Sequence, residues 1–181
     1  MEPHDTTKPF VMPSVELGKS MHNLAKELWP INRSILGEGV RETLAILQKN
    51  QPKMEIISVP SGFEAYDWRV PDEWFVKEAW VEDDNGKRII DIADNNLHLM
   101  GYSEPIDKEL TLQELDKHIY SIPDKPDAVP YVTSYYKRKW GFCISHRQRE
   151  SLANGKYRVV IRSELKPVSY THLTLPTICS V

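Results

Sequence analysis

Two stretches near the start of the chain have the hydrophobic spacing of amphipathic helices. In the first, apolar residues recur on one helical face, at Leu17, Met21, Leu24, Ala25, Leu28 and Trp29. Ser14 can cap this helix, and Pro30 stops it. A second pattern of the same kind begins at Val40 and ends near Asn50. The sequence therefore predicts two helices joined by a polar, glycine-bearing loop at residues 30–39.

After these helices the pattern changes to short runs that are typical of strands. Residues 54–59 form an apolar run, which predicts a strand buried in a sheet, and residues 157–161 predict a second one. Between them lies a β-rich region, with strands expected at residues 63–70, 74–81, 88–92 and 96–102.

Asn85 and Gly86 predict a hairpin within this region. Asn-Gly is favoured in two-residue type I′ loops, because both loop residues must adopt positive φ. Such a loop pairs Val81 with Ile90, Ala79 with Ile92, and Asp83 with Arg88. The first two pairs are apolar and the third joins opposite charges, so the predicted register is self-consistent.

Two further segments have the signature of a capped helix. Thr111 and Glu114 form a capping box, which predicts a helix from about residue 112 to about residue 120. Ser145 and Gln148 predict a second, short helix that ends before Asn154.

Residues 131–146 hold the densest mixture of aromatic, hydroxyl and basic side chains in the chain. This mixture suits the wall of a cleft, because Tyr and Trp offer wide, stiff surfaces with a polar group. Gly141 would let the backbone approach a neighbour or a ligand closely. Alternating side chains in the same stretch also fit a buried strand, and the pattern alone leaves both interpretations open.

Composition excludes several classes of protein. The 181 residues contain 23 basic and 26 acidic side chains, a net charge of −3, which gives no electrostatic basis for nucleic-acid binding. No window is long and apolar enough for a membrane span, and no secretion signal opens the chain. Two cysteines without a paired spacing fit a reducing compartment. We therefore expect a cytoplasmic protein that binds neither nucleic acid nor membrane.

The spacing of candidate catalytic and metal-binding residues predicts no complete site. The histidines are isolated, without the i, i+4 spacing that aims two imidazoles at one ion, so we expect no metal site in this chain. Cys143, between Phe142 and Ile144, is interpreted as a small buried hydrophobe. Arg41 is expected to pair with nearby carboxylates. Arg33 can either bind a carboxylate ligand or pair with Glu38 or Glu42, and both alternatives stay open.

Several motifs together identify a family. They are Leu28-Trp29-Pro30-Ile31-Asn32-Arg33-Ser34, Gly37-Glu38-Gly39-Val40-Arg41-Glu42-Thr43-Leu44, Val59-Pro60-Ser61-Gly62, Asn95-Asn96-Leu97-His98, and Tyr131-Val132-Thr133-Ser134-Tyr135-Tyr136 with Trp140-Gly141-Phe142-Cys143. Over residues 17–165 the chain resembles a bacterial family of aminopeptidase-like proteins associated with polysaccharide biosynthesis. Leu36 stands where the family pattern has Thr.

The resemblance implies an α/β fold, in which an incomplete zinc-exopeptidase-like α/β core is interrupted by an inserted β-rich domain. The domains expected from it are a flexible arm at 1–13, the start of the α/β domain at 14–60, the inserted domain at 61–154, a return strand of the α/β domain at 155–166, and a non-native tail at 167–181. The tail departs from the family and resembles a translated adapter sequence, so we expect it to be disordered or only casually packed.

The resemblance further implies that the chain is the N-terminal fragment of a zinc hydrolase that acts on a peptide or amide substrate. In that family the zinc ligands follow the strand that matches residues 157–161, so we expect this chain to have no catalytic residue and no zinc of its own. Contacts to substrate are expected from Arg33, Tyr135, Tyr136 and Trp140. The alternative is a non-catalytic module that binds carbohydrate or peptide on the aromatic face of the β-rich domain.

Overall fold

The computed structural model describes residues 14–134, 136–167 and 169–174 as a mixed α/β structure, as predicted. The helices are α1 (Val15–Leu28), α2 (Glu38–Asn50), α3 (Leu112–Asp116) and α4 (His146–Glu150), with a 3₁₀ helix at Asn96–His98. The strands are β1 (Glu55–Pro60), β2 (Glu64–Ala65), β3 (Trp68–Arg69), β4 (Glu73–Glu82), β5 (Arg88–Asp91), β6 (Ile106–Thr111), β7 (Ile119–Tyr120), β8 (Phe142–Cys143), β9 (Lys156–Lys166) and β10 (Ser169–Thr174).

The two N-terminal helices form where the hydrophobic period predicts them. Ser14 caps α1 by accepting a hydrogen bond from the backbone N–H of Leu17 at 3.1 Å. No residue of α1 is buried, and Leu17 and Met21 remain 51% and 61% exposed. The predicted apolar face therefore lies at the surface. Within the part of the chain that the structure describes, no helix is long and apolar enough to cross a membrane.

β1 is a strand, as predicted, but it is not buried. Its residues are exposed or half-buried, and it pairs antiparallel with β10, from Glu55 opposite Thr174 to Pro60 opposite Ser169. Residues 169–174 therefore form a strand, so the tail is not disordered there as one of the two expected alternatives would have it, while residues 168 and 175–181 lie outside the described residues. The physical reason is that an exposed strand edge can pair through backbone groups alone.

The centre of the β-rich region is a four-stranded antiparallel sheet in the order β5-β4-β9-β6. β9 is an inner strand, with Val160 opposite Trp80 of β4 and Ile161 opposite Ile106 of β6. Residues 155–166, expected as a return strand of the α/β domain, thus form a strand that pairs with β4 and β6 of the β-rich region. Tyr157, Val159 and Ile161 are buried on the face that packs on the main core, which is why the strand lies inside the sheet.

The main core fills one face of this sheet. It is covered by buried side chains from α3, from β7 and β8, and from the segment that follows the 3₁₀ helix, namely Leu99, Tyr102, Leu115, Ile119, Phe142 and Ile144. β7 and β8 run parallel, and Gly141 just before β8 is required there. A Cβ at Gly141 would lie 2.6 Å from Tyr120 Cε2 and 2.8 Å from the carbonyl oxygen of His118.

The hairpin forms at the predicted place but with a longer loop. Val81 pairs with Ile90 as expected, whereas Arg88 lies opposite Glu82 instead of Asp83. The carboxylate of Asp83 accepts backbone hydrogen bonds from Asn85 at 3.0 Å and Lys87 at 2.9 Å. These bonds close a turn from Asp83 to Gly86, in which Gly86 has a φ of 77° and Asn85 does not have positive φ. The result is a three-residue loop with a bulge.

The two predicted capping signatures have different outcomes. Thr111 and Glu114 form the full capping box, but α3 ends at Asp116 because the chain then turns into β7. Ser145 caps α4 by accepting from the backbone N–H of Gln148 at 3.2 Å. The Gln148 side chain instead donates to the carbonyl oxygen of Ile89 at 2.7 Å, which ties α4 to β5.

A buried ion pair joins α2 to the four-stranded sheet. Arg41 donates to both carboxylate oxygens of Glu73, at 2.5 and 3.0 Å, and Glu73 is fully buried at the start of β4. The hydrogen bond to Glu73 is the largest cause of the raised pKa of Arg41. Arg41 also contacts the exposed Glu38 at 3.0 Å, which confirms the local pairing predicted from the sequence.

The loop geometry predicts unequal effects of alanine at the two loop positions. Gly86→Ala should lower the free energy of unfolding by about 1 kcal/mol, because an L-residue resists positive φ. Asn85→Ala should cost less than about 0.5 kcal/mol, as expected for a surface position with ordinary φ. Urea denaturation of both variants measures the difference. Equal losses at both positions would indicate the two-residue loop and contradict the loop described above.

The buried ion pair predicts a strong asymmetry between two glutamates that contact the same arginine. Glu73→Ala should lower the free energy of unfolding by about 3 kcal/mol or more, since it leaves a guanidinium partly buried without its partner. Glu38→Ala is the matched control, and it should cost less than about 1 kcal/mol because Glu38 is 77% exposed. The same denaturation measurement applies, and losses of similar size would show that Glu73 does not anchor α2.

Candidate functional site

The loop between α1 and α2 is held close to the start of α2. A Cβ at Gly39 would lie 2.0 Å from the carbonyl oxygen of Asn32, so only glycine allows this approach. Ser34 Oγ donates to the carbonyl oxygen of Leu36 at 2.5 Å. Arg33 donates to Thr43 Oγ1 at 3.4 Å, a long contact that holds the guanidinium beside α2. The glycine-bearing loop predicted from the sequence is therefore a packed turn.

Asn96 fixes this loop to the β-rich region. Its side-chain nitrogen donates to the carbonyl oxygens of Trp29 at 2.9 Å and Ile31 at 3.3 Å. Asn95 caps the 3₁₀ helix that carries Asn96, by accepting from the backbone N–H of Leu97 at 3.0 Å. Two segments more than sixty residues apart are thereby locked together.

A cavity of about 360 Å³ lies where these segments meet, and we call it the junction cleft. Its lining comes from the α1–α2 loop, the start of β4, the 3₁₀ helix with the segment after it, and the beginning of the aromatic stretch. The lining residues are Trp29, Ile31, Asn32, Arg33, Ser34, Trp74, Asn96, Leu97, Leu99, Gly101 and Tyr131. The volume is within the range of small-molecule sites.

The junction cleft has one kind of charge. Arg33 is its only charged lining residue, and no carboxylate lines it. Among the ion pairs of the described residues none involves Arg33. Of the two alternatives for Arg33, the structure does not place Glu38 or Glu42 in an ion pair with it. Its remaining N–H donors are therefore available to a ligand with an acceptor group.

Among the described residues, the predicted contact residues lie in different places. Arg33 lines the junction cleft, whereas Tyr136, 73% exposed, lines a separate cavity with Arg138 and Pro71. Trp140 stacks on His118 with ring centroids 3.6 Å apart and packs against the main core. Tyr135 lies outside the described residues. Arg33 and Tyr136 therefore line different cavities, and Trp140 lines neither of them.

Sequence reasoning missed four cleft residues as site candidates: Trp29, Trp74, Asn96 and Tyr131. Trp29 and Tyr131 are 62% and 64% exposed, which is unusual for large aromatic side chains. Trp74 is 7% exposed and its indole N–H donates to the carbonyl oxygen of Ser103 at 3.0 Å. Three of the four lie within motifs that carried the family resemblance. Treating those motifs as one converging surface would have identified Trp29, Asn96 and Tyr131, whereas no motif contains Trp74.

A larger cavity, of about 600 Å³, lies on the other face of the sheet across β4, β6 and β9. Three of its four charged lining residues are already paired: Asp107 with Arg158, Arg162 with Glu78, and Glu164 with Lys166. Charges that neutralise one another leave little to recognise a ligand. We therefore favour the junction cleft as the candidate site, although it is smaller.

His98, His118 and His146 make local contacts. His98 Nδ1 lies 2.8 Å from the carbonyl oxygen of Cys143, and His146 Nδ1 lies 3.0 Å from Ser121 Oγ. Within the described ranges, no three His, Cys, Asp or Glu side chains come together as metal ligands. These residues therefore do not fit a zinc site of the kind that the resemblance implies for the intact protein.

Cys143 is fully buried between Phe142 and Ile144, as the sequence predicted. Burial raises the pKa of its thiol to about 11. Since the thiolate is the reactive form, Cys143 is inert at neutral pH and is not a candidate nucleophile.

Comparison with known proteins agrees with the resemblance. A family model described as "Domain of unknown function (DUF2172)" matches residues 73–164. A Clostridium acetobutylicum protein called "Putative polysaccharide biosynthesis protein with aminopeptidase-like domain" is 44% identical over 163 residues. The match covers 90% of this chain and 37% of that protein.

A solved structure has the same fold over most of the chain. It is described as "Crystal structure of putative peptidase from CLOSTRIDIUM ACETOBUTYLICUM", and it matches with a TM-score of 0.83 and 45% identity. The match covers 87% of this chain and 37% of that structure's chain. This chain therefore spans little more than a third of the length of the relatives described here.

The burial of Cys143 predicts that its thiol resists modification in the folded protein. In a Cys179→Ser variant, Ellman's reagent at pH 8 should label Cys143 only after denaturant is added, because burial holds its pKa at about 11. The control is the same variant in guanidinium chloride, where one thiol should react rapidly. Rapid labelling without denaturant would contradict the buried position.

Proposed function

The chain belongs to the family described as "Domain of unknown function (DUF2172)", and from this premise we propose that it forms the N-terminal, substrate-contacting part of an aminopeptidase-like hydrolase. The observation that carries the proposal is the junction cleft, which is lined by motifs of the aminopeptidase-like resemblance. The names of the two similar proteins, one with an aminopeptidase-like domain and one a peptidase, support this reaction class.

In this proposal the chain binds the substrate, and the rest of the intact protein catalyses its hydrolysis. The cleft offers a guanidinium, a carboxamide and aromatic surfaces, from Arg33, Asn32, Trp29 and Tyr131. These groups can hold a substrate in place, but they include no general base and no nucleophile activated by one. The described residues do not bring three metal ligands together, so a complete zinc site would need ligands from elsewhere in the intact protein.

The proposal also includes a division of the chain. Residues 14–60, with α1, α2 and the exposed strand β1, begin an α/β domain of the exopeptidase kind, and the β-rich region is inserted into it. The exposed apolar residues of α1 support this division, because helices of α/β domains bury such a face against a sheet.

This function can be tested with two proteins, the 181-residue chain and a full-length protein that contains it. The 181-residue chain should bind zinc no tighter than about micromolar and release no amino acid from aminoacyl amides, because its described histidines are not arranged to share an ion. Zinc titration calorimetry and an amino-acid release assay measure both. A stoichiometric, tight zinc site would contradict the proposal, and His98 and His146 would then be the first residues to substitute.

The second protein is a full-length protein that contains this chain. It should release amino acids from a peptide or aminoacyl amide in a metal-dependent manner. If it binds peptide or carbohydrate but hydrolyses no amide with any divalent metal, the hydrolase proposal is wrong. The alternative, a non-catalytic binding module, would then hold.

A further inference from the structure

We infer that the junction cleft recognises the carboxylate group of a small ligand, with Arg33 as the residue that binds it. The inference rests on the proposed function only in treating this ligand as a substrate. Binding to the cleft is a property of the 181-residue chain and can be tested on it directly.

The charge of the cleft favours a carboxylate ligand. Arg33 is the one ionised side chain among the cleft's lining residues, and within the described part of the chain it forms no ion pair. By contrast, Arg41, one helical turn into α2, is held by both Glu38 and Glu73. Of the five N–H donors of Arg33, one points to Thr43 Oγ1 at the long distance of 3.4 Å. The planar guanidinium fork matches a carboxylate, which can accept two parallel hydrogen bonds from it.

The loop geometry also favours ligand binding by Arg33, because it prevents Arg33 from moving freely to a distant carboxylate. The absence of a Cβ at Gly39 lets the Asn32 carbonyl pack against α2, and Asn96 holds the carbonyl oxygens of Trp29 and Ile31. The backbone before Arg33 is therefore tied down before any ligand arrives, and the hydrogen bond from Ser34 Oγ to the carbonyl oxygen of Leu36 holds the turn after it. Such pre-organisation lowers the entropic cost of binding.

The neutral residues define the rest of the ligand. The side-chain nitrogen of Asn96 is committed to two carbonyl oxygens, so the group it can offer to a ligand is its oxygen, which accepts from an N–H or O–H. Trp29 and Tyr131 present exposed ring surface, which suits a flat or apolar body. A carboxylate joined to such a body and to a hydrogen-bond donor describes an N-acylated amino acid, as at a peptide C-terminus, and also a uronic acid.

The test compares carboxylate probes with neutral analogues. N-acetyl-L-phenylalanine is paired with its amide, and glucuronate is paired with glucose. Binding to the 181-residue chain is followed by the shift of the Trp29 indole N–H signal in ¹H–¹⁵N spectra, assigned with a Trp29→Phe variant. We expect at least one carboxylate probe to bind about tenfold more tightly than its neutral analogue, the usual contribution of a charged hydrogen bond. Added salt should weaken this preference.

Variants of Arg33 identify the group responsible. Arg33→Gln should abolish the preference for the carboxylate, and Arg33→Lys should keep part of it, because lysine retains the charge without the fork. Arg138→Gln is the matched control, since Arg138 is an arginine with 75% side-chain exposure that does not line the cleft, and it should change nothing. An unchanged spectrum outside the cleft shows that each variant is folded.

Each outcome decides the inference. Binding of N-acetyl-L-phenylalanine supports a peptide carboxylate, and binding of glucuronate alone supports a sugar acid. Equal binding of acids and neutral analogues, absence of binding by both acids, or an Arg33→Gln variant that keeps the preference would overturn it. If the cleft binds carboxylates but the full-length protein hydrolyses no amide, the proposed function fails and this inference stands. If neutral aminoacyl amides are hydrolysed without any carboxylate binding, this inference fails and the proposed function stands.

Discussion

The contact between Arg41 and Glu73 is the constraint on which the arrangement of the described residues depends. A carboxylate at the start of β4 is fully buried, and it is tolerable there because a guanidinium from α2 binds both of its oxygens. Trp74, the next residue, lines the junction cleft. The pair therefore sets the position of α2 against the sheet, and with it the position of the loop that carries Arg33.

Arg41 and Arg33, eight positions apart, differ in whether a carboxylate of the protein binds them, and this difference gives one a structural role and leaves the other able to bind a ligand. Arg41 donates hydrogen bonds to the carboxylates of Glu38 and Glu73, so its charge is neutralised within the protein. Arg33 has a hydroxyl as its hydrogen-bond partner and lies in a cleft lined by no carboxylate. The outer face of the four-stranded sheet resembles the first case, because its arginines contact Asp107 and Glu78. The junction cleft, where the N-terminal loop meets the β-rich region, is thus lined by an arginine that has no carboxylate partner among the described residues.

The N-terminal region differs from the β-rich region in how much of its apolar surface is covered. The four-stranded sheet buries a continuous core, whereas α1 buries none of its residues and β1 is exposed or half-buried. The relatives are much longer, since the matched part is 37% of each. The apolar surface that α1 and β1 leave exposed fits the proposed function, in which this chain is one part of a longer α/β protein.

Local signals determined several elements of this fold, although the strand predicted at residues 96–102 is a 3₁₀ helix in its first part. Ser14 and the Thr111–Glu114 box set helix starts, the hydrophobic period set α1 and α2, and buried apolar runs set β4 and β9. Only the tertiary structure decided which elements meet: β9 inside the four-stranded sheet, Glu73 beneath Arg41, and Asn96 on the loop before Arg33. It also decided the hairpin loop, where two hydrogen bonds to the Asp83 carboxylate outweigh the preference of Asn-Gly for a shorter turn. The physical reason is range, because caps and periods act within a few residues, whereas pairing and cleft formation join residues more than thirty positions apart and leave no local pattern.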